Sequence, residues 1–221
     1  MEFVDVIAAR HSCRAFQGAE VPDEALNQLF ELAQHTASWC NTQPWQVHLV
    51  SGPAIKRFSA ELIHHVLSQA SPSADLEMPA GYGGVYAERR RESGHALYDA
   101  VGLAHGDKPG RGAQALLNFS FFGAPHVAVI TTDRDQGTYG AIDCGGYVAT
   151  LTSTATALGL GSIAQAAIAM HSGKVRDFLN LSADRLVVCA VSLGYADLEH
   201  PANAFRTSRA GVDDVVVHLR D

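Results

Sequence analysis

Apolar residues recur at helical spacing in several stretches of the chain. Phe3, Val6 and Ile7 predict a short first helix running into Arg10. Pro22-Asp23-Glu24 reads as a helix start, because proline suits the first turn and acids suit the positive end of the dipole. Leu26, Leu29, Phe30 and Ala33 follow at i, i+3, i+4 and i+7 and predict an amphipathic helix. Ile55, Phe58, Leu62, Ile63 and Val66 predict another over 54–69, and residues 139–158 a further one. Ser172 is placed to cap a helix carrying Val175, Phe178 and Leu179. Residues 45–50, 125–131 and 186–194 are β-rich and predict strands, and 212–219 a last extended piece. Helices and strands are interspersed without an internal repeat, which indicates an α/β or α+β class.

Two stretches depart from this pattern. Residues 71–111 mix prolines and glycines with the run Glu88-Arg89-Arg90-Arg91-Glu92. They read as a mobile excursion with short helices inside a single domain over 1–221. The arginines read as a solvated face, or as a rim that attracts an anionic substrate. From Cys144 to Gly173 there is no Asp, Glu, Lys or Arg. That length could cross a bilayer, but its Gly, Ser and Thr content and Gln165 and His171 favour a deeply buried helix followed by a buried loop.

Composition narrows the function. Sixteen Lys and Arg against 23 Asp and Glu give a net charge of −7, which argues against a nucleic-acid binder. Hydrophobic residues at 47% exclude a disordered chain, and charged residues at only 18% suggest that a partner covers part of the surface. Cys13, Cys40, Cys144 and Cys189 lie far apart with no CxxC, so neither a disulfide framework nor a zinc site is expected. The early acids Glu2 and Asp5, with no basic stretch, show no signal peptide, and a cytoplasmic protein is expected.

No GxSxG, HExxH, Walker A or EF-hand pattern occurs. His64-His65 is a lone doublet that reads as exposed rather than metal-binding. Gly159-Leu160-Gly161-Ser162-Ile163-Ala164 fits the loosened dinucleotide form GxGxxA, but no clear βαβ unit surrounds it. The informative region is Arg10-His11-Ser12-Cys13-Arg14-Ala15-Phe16. Two guanidiniums, an imidazole and a hydroxyl within five residues form an anion-binding set. Arg206-Thr207-Ser208-Arg209 is a second such set. Ser38-Trp39-Cys40-Asn41-Thr42-Gln43-Pro44-Trp45 places amides and indoles where they could meet the edge of a flat heterocycle.

Together these motifs resemble the FMN-dependent nitroreductase family. Its RxSxRxF opening appears as Arg10, Ser12, Arg14 and Phe16, and its PSxxNxQPW motif as residues 37–45. Phe122-Gly123-Ala124-Pro125, Ala157-Leu158-Gly159-Leu160-Gly161, Leu193-Gly194-Tyr195 and Arg209 before Asp213-Asp214-Val215 follow in family order. The departures are Ala37 where the family often has proline, and Gln165-Ala166-Ala167 where some members have Glu-Gly. The second touches the loop beside the reactive flavin atom and points to a subfamily with a different pocket.

The resemblance implies an α+β fold, with a central, mostly antiparallel sheet flanked by helices in an intertwined homodimer. It implies FMN at the interface and NAD(P)H as co-substrate, with no metal, nucleic acid or membrane. By matching position, Arg10, Ser12 and Arg209 hold the phosphate, helped by His11 and Arg206. Arg14 lies near N1 and C2=O of the ring, where a guanidinium attracts the reduced flavin's charge by about 4 kcal/mol before desolvation. Ser38, Trp39, Asn41 and Gln43 come from the other subunit, and N–H groups near Gln165 and Ala166 face N5 and O4. The expected activity is ping-pong transfer of hydride from NAD(P)H to a small aromatic acceptor, a nitroaromatic or quinone, through flavin N5. The alternatives are dehalogenation, ene reduction, flavin fragmentation, or flavin binding without turnover.

Overall fold

A computed structural model describes residues 1–220. In chain order the elements are α1 (Phe3–Ala9), α2 (Asp23–Ala33), β1 (Trp45–Ser51), α3 (Gly52–Leu67), α4 (Gly84–Ala100), α5 (Lys108–Leu116), β2 (His126–Asp133), α6 (Gly137–Ala157), β3 (Gly161–Gln165), α7 (Ala166–Ala169), α8 (Ser172–Leu179) and β4 (Arg185–Gly194). The strands form one antiparallel sheet in the order β1-β2-β4-β3.

Both faces of the sheet are covered, which is why β2 reads as an unbroken apolar run rather than an alternation. Ala128 and Ile130 pack with Leu26, Leu29 and Ala33 of α2 and with Cys144, Tyr147, Leu151 and Ala155 of α6. Val127 and Val129 face the other layer, against Ile55, Phe58 and Leu62 of α3 and Val175 of α8. On β4, Val187 and Ala190 share this second face although they are three apart. The register slips there, Ile130 pairing with Cys189 and Thr131 with Val187, so a bulge absorbs the extra residue.

The 144–173 segment holds most of α6, then β3 and α7, and ends at the start of α8, rather than a helix and a loop. α6 stops at a left-handed Gly159 (φ +76°), and Leu160 N–H reaches back to Ala155 O at 2.8 Å. The chain then enters β3, a strand that the sequence pattern did not predict. No helix among the described residues is long and apolar enough to cross a membrane.

Other expectations are corrected. Pro22 stands just before α2, not inside its first turn. Ser172 begins α8 without capping it; its hydroxyl donates to Ala169 O at 2.8 Å. Within 71–111, α4 is 17 residues long and buries none of them. The start of this stretch is tied down, because Asp75 pairs with Arg176 and accepts from Val187 N–H at 2.8 Å. Residues 212–219 form no strand: a short turn at Val212–Asp214 leads into irregular, exposed chain, with Val217 85% accessible. His64 is exposed, but His65 is half-buried, its ring centroid 5.3 Å from that of His171.

Candidate functional site

The Arg10–Phe16 segment leaves α1 as extended backbone beside β3 and the end of β4. Ser12 bridges to Ser162, and Cys13 N–H donates to Ser162 O at 2.9 Å. Gly161 permits this approach: a Cβ there would lie 3.0 Å from Cys13 Sγ and 3.1 Å from Ala196 Cβ. The two-residue period of extended chain buries Cys13 and Ala15 and leaves Arg10, Ser12 and Arg14 on the open side.

The second arginine set folds against the first. Asn203, buried, is the clasp. Its Oδ1 accepts from Arg14 N–H at 2.7 Å, and its Nδ2 donates to Ala15 O at 2.9 Å and Asp197 O at 2.8 Å. Arg10, His11, Ser12, Arg14, Arg206 and Arg209 thereby line one cavity of 520 Å³, with Phe205 and Ser93.

None of its four arginines has a carboxylate within 4 Å among the described residues. Neutral oxygens orient them instead. Arg206 Nη1 donates to Asn203 O and Phe205 O, both at 2.8 Å, and Arg209 Nη1 to Thr207 Oγ1 and Ser208 O, both at 2.7 Å. Arg14 donates to Ser12 O at 3.2 Å and lies 5.5 Å from the centre of the Phe205 ring. Burial holds Arg14 below its ordinary guanidinium range.

His11 reports the same field. Its Nδ1 is 3.0 Å from Ala9 O, a group that only accepts, so Nδ1 carries the proton. Its Nε2 is buried with no partner among the described residues, as is Ser162 Oγ. Burial lowers the His11 pKa; the Ala9 carbonyl opposes this, and Arg206, Arg10 and Arg14 add to the lowering. Unneutralised guanidiniums sharing a cavity with His11, whose Nε2 has no partner among the described residues, fit a dianionic group such as a phosphate monoester.

At the end of β3 the Gln165 side chain is 2% accessible and fully engaged. Ser192 Oγ donates to Gln165 Oε1, and Gln165 Nε2 donates to Asn118 O at 2.8 Å. Ala164 and Ala166, either side of it, are exposed. Small side chains thus leave the backbone of this turn approachable.

The 38–43 loop is also stiffly built. Cys40, Asn41 and Gln43 have φ of +52°, +55° and +47°, conformations that cost non-glycine residues energy and cluster at functional sites. Ser38 Oγ accepts from Gln43 N–H at 2.9 Å, Asp143 Oδ2 from Trp39 N–H at 3.1 Å, and Gln43 Oε1 from Gln34 Nε2 at 2.9 Å. Trp39 is 60% accessible and meets Tyr139 edge-on. Within one chain, Ser38, Trp39, Asn41 and Gln43 do not line the arginine cavity. Phe121 and Phe122 are core residues. Among the described residues no group of three or more His, Cys, Asp or Glu could hold a metal ion.

Sequence reasoning missed Asn203, Asn118 and Ser192. Single amides and a hydroxyl in such segments carry no motif, and only the proximity of Asn203 to Arg206 hinted at its place.

The chain matches the nitroreductase family over residues 7–195. It is 34% identical over 209 residues to a 4-nitrobenzoate reductase of Pseudomonas putida, covering 94% of this chain and 91% of that one. It is 35% identical over 212 residues to the nitroreductase NfnB of Mycolicibacterium smegmatis, covering 95% and 89%. The crystal structure of that FMN-dependent nitroreductase in complex with NADPH superposes with a TM-score of 0.94 at 33% identity, over 99% of each chain. By the family match over most of its length, and by its likeness in sequence and fold to these relatives, the chain belongs to the nitroreductase family.

Proposed function

We propose that the chain is an FMN-dependent oxidoreductase that draws on NAD(P)H to reduce nitroaromatic or quinone-type acceptors, acting in the cytoplasm. The observation that carries this reading is the cavity of four unpaired arginines, in a chain whose relatives include an FMN-dependent nitroreductase and nitrobenzoate reductases. When bound, FMN supplies the two-electron chemistry, accepting hydride from the nicotinamide and passing reducing equivalents to the acceptor.

The residues supply placement and field. Arg10, Ser12 and Arg209 hold the phosphate, with Arg206 beside them. Burial first, and then the arginines, depress His11; an entering dianion offsets the arginine part, and its oxygens give the otherwise unpartnered Nε2 a neighbour. Arg14, with no carboxylate within 4 Å among the described residues, faces the pyrimidine side of the ring and favours its reduced, anionic form. The turn at Gln165 and Ala166 presents its backbone N–H groups to the reactive edge, while the exposed Ala164 and Ala166 leave room for the ring.

The other half of the site comes from a second copy. A homodimer explains why Ser38, Trp39, Asn41 and Gln43 are built rigidly yet lie outside the chain's own cavity. It also covers an apolar surface that monomers rarely show: Phe3, Val4 and Ile7 on α1, Ile142 beside Gly145 and Gly146 on α6, and the valines of 212–217. Chain 1–221 then acts as one domain, and 71–111 as a mobile excursion at the rim.

The test is direct. The purified protein is expected to be yellow, dimeric and to release FMN, not FAD, on denaturation. NADPH should bleach the flavin and a nitroaromatic restore it, which a flavin-binding protein without turnover would not do. Arg10→Ala or Arg209→Ala should weaken FMN binding by roughly 1.5–3 kcal/mol. Truncation after Gly211 should yield colourless, poorly folded protein. A stable, active, yellow monomer would refute the shared site, and unchanged FMN affinity in both arginine variants would refute the phosphate assignment.

A further inference from the structure

A second cavity, of 750 Å³, adjoins the arginine cavity and shares Ser93, Arg206, Thr207 and Arg209 with it. Its outer wall is α4, through Arg89. Both of its carboxylates are engaged: Ser208 Oγ donates to Glu92 Oε1 at 2.7 Å, and Gly211 N–H to Asp214 Oδ2 at 3.1 Å. Arg89 has no carboxylate within 4 Å among the described residues. Its neighbour Arg90 instead lies over the Tyr82 ring at 5.7 Å. Because α4 buries no residue, what it contributes here is a charged wall, not core. The volume suits half of a dinucleotide, since ligand pockets run from about 300 to 1,000 Å³.

We propose that this cavity is an oxyanion subsite for the second substrate, with Arg89 as its specificity-determining residue and the 2′-phosphate of NADPH as occupant. The proposal rests on reading the adjoining cavity as the flavin-phosphate site. A guanidinium fork matches a phosphate bidentately, and NADH offers only a neutral hydroxyl at that position. The carboxylate of an anionic acceptor carries the same chemistry and is the other source of an oxyanion here.

The experiment compares Arg89→Ala and Arg89→Lys with Arg90→Ala as a control, all in the full-length flavin-loaded protein. kcat/KM is measured for NADPH and NADH with a neutral quinone, and for 4-nitrobenzoate and 4-nitrobenzamide. Calorimetry follows binding of 2′,5′-ADP and 5′-AMP, and absorbance gives flavin content. Arg89→Ala should lose about tenfold or more of the NADPH-over-NADH selectivity. It should lose 2′,5′-ADP affinity by a similar factor, with 5′-AMP binding and flavin content unchanged. Arg89→Lys should recover part of both losses, and Arg90→Ala should match the parent. An unchanged dinucleotide ratio with a lost preference for nitrobenzoate over nitrobenzamide supports the subsite and assigns it to the acceptor. No change, an equal fall for all four substrates, or loss of flavin overturns the proposal. A parent protein that binds 2′,5′-ADP through Arg89 but carries no FMN would overturn the flavin reading and leave this subsite standing.

Discussion

Gln165 and Asn118 are joined by a hydrogen bond from Gln165 Nε2 to the Asn118 carbonyl at 2.8 Å, linking the end of β3 to the turn before β2. The same carboxamide accepts from Ser192 on β4. One buried side chain therefore uses its donor and its acceptor to fix the turn proposed to face the flavin. A carboxamide does both, and among side chains of the same shape only the protonated glutamic acid can replace it in both roles.

Gln165→Glu should make stability pH-dependent. An ionised glutamate cannot donate to Asn118 O, so burial and this acceptor raise its folded pKa above the ordinary value of about 4.3. The native variant then holds its proton longer than the unfolded chain. Stability is near parental below the unfolded pKa and falls as pH rises through the window up to the folded pKa. Urea midpoints at pH 5 and pH 8 check this, with Gln165→Leu expected to lose stability equally at both.

Asn203→Ala removes three hydrogen bonds at the clasp and leaves Arg14 N–H, Ala15 O and Asp197 O without that partner. A loss of roughly 1–3 kcal/mol is expected. FMN affinity should fall with it, although Asn203 does not line the arginine cavity. Urea unfolding of the apoprotein and a flavin titration measure the two effects, and an unchanged affinity would separate the clasp from the site.

Arg14 is half-buried, has no carboxylate within 4 Å among the described residues, and is depressed by burial. Arg14→Met should lower the two-electron midpoint potential of bound FMN. If ~1–3 kcal/mol of attraction survives screening, the shift is roughly 20–60 mV at about 30 mV per 1.4 kcal/mol. Potentiometry with a reference dye gives the answer; a midpoint that stays or rises would remove Arg14 from the ring.

His126 should contribute to acid sensitivity. Its Nε2 accepts from Val21 N–H at 3.0 Å, and its Nδ1 lies 2.6 Å from Ser51 Oγ. Burial lowers its pKa, while Glu20 and Asp23 pull the other way. A depressed folded pKa means stability that is present above the unfolded value of about 6.5 and lost as pH falls through the folded one. Urea midpoints from pH 7.5 to 5 should fall less steeply for His126→Gln. Equal slopes would show that the Val21 contact does not titrate.

The long elements were legible because local pattern and burial agree. Leu26, Leu29 and Ala33 of α2 and Phe58 and Leu62 of α3 are core residues at the spacing that predicted them. Arg10, Ser12, Arg14, Arg206 and Arg209 stand out in the sequence by their composition as an anion-binding set, and the structure brings them together around one cavity. β3 was hidden because Gly161, Ser162 and Ala164 have little strand preference; it exists through pairing with β4 and the bridge from Ser12. The 212–219 stretch is rich in valine, which favours strand, yet composition states only a preference, and no strand edge among the described residues takes it.

The clasp between Arg14 and Asn203 joins positions 189 residues apart. During synthesis the Arg10–Arg14 segment emerges first and waits, its guanidiniums unopposed, until the 203–209 segment leaves the ribosome. Every strand of the sheet has been made by then. On the proposed phosphate assignment, capture of the anion belongs to the last stage of biogenesis. A nascent chain halted anywhere before Asn203 has a sheet to fold but only one of the two segments that line the arginine cavity.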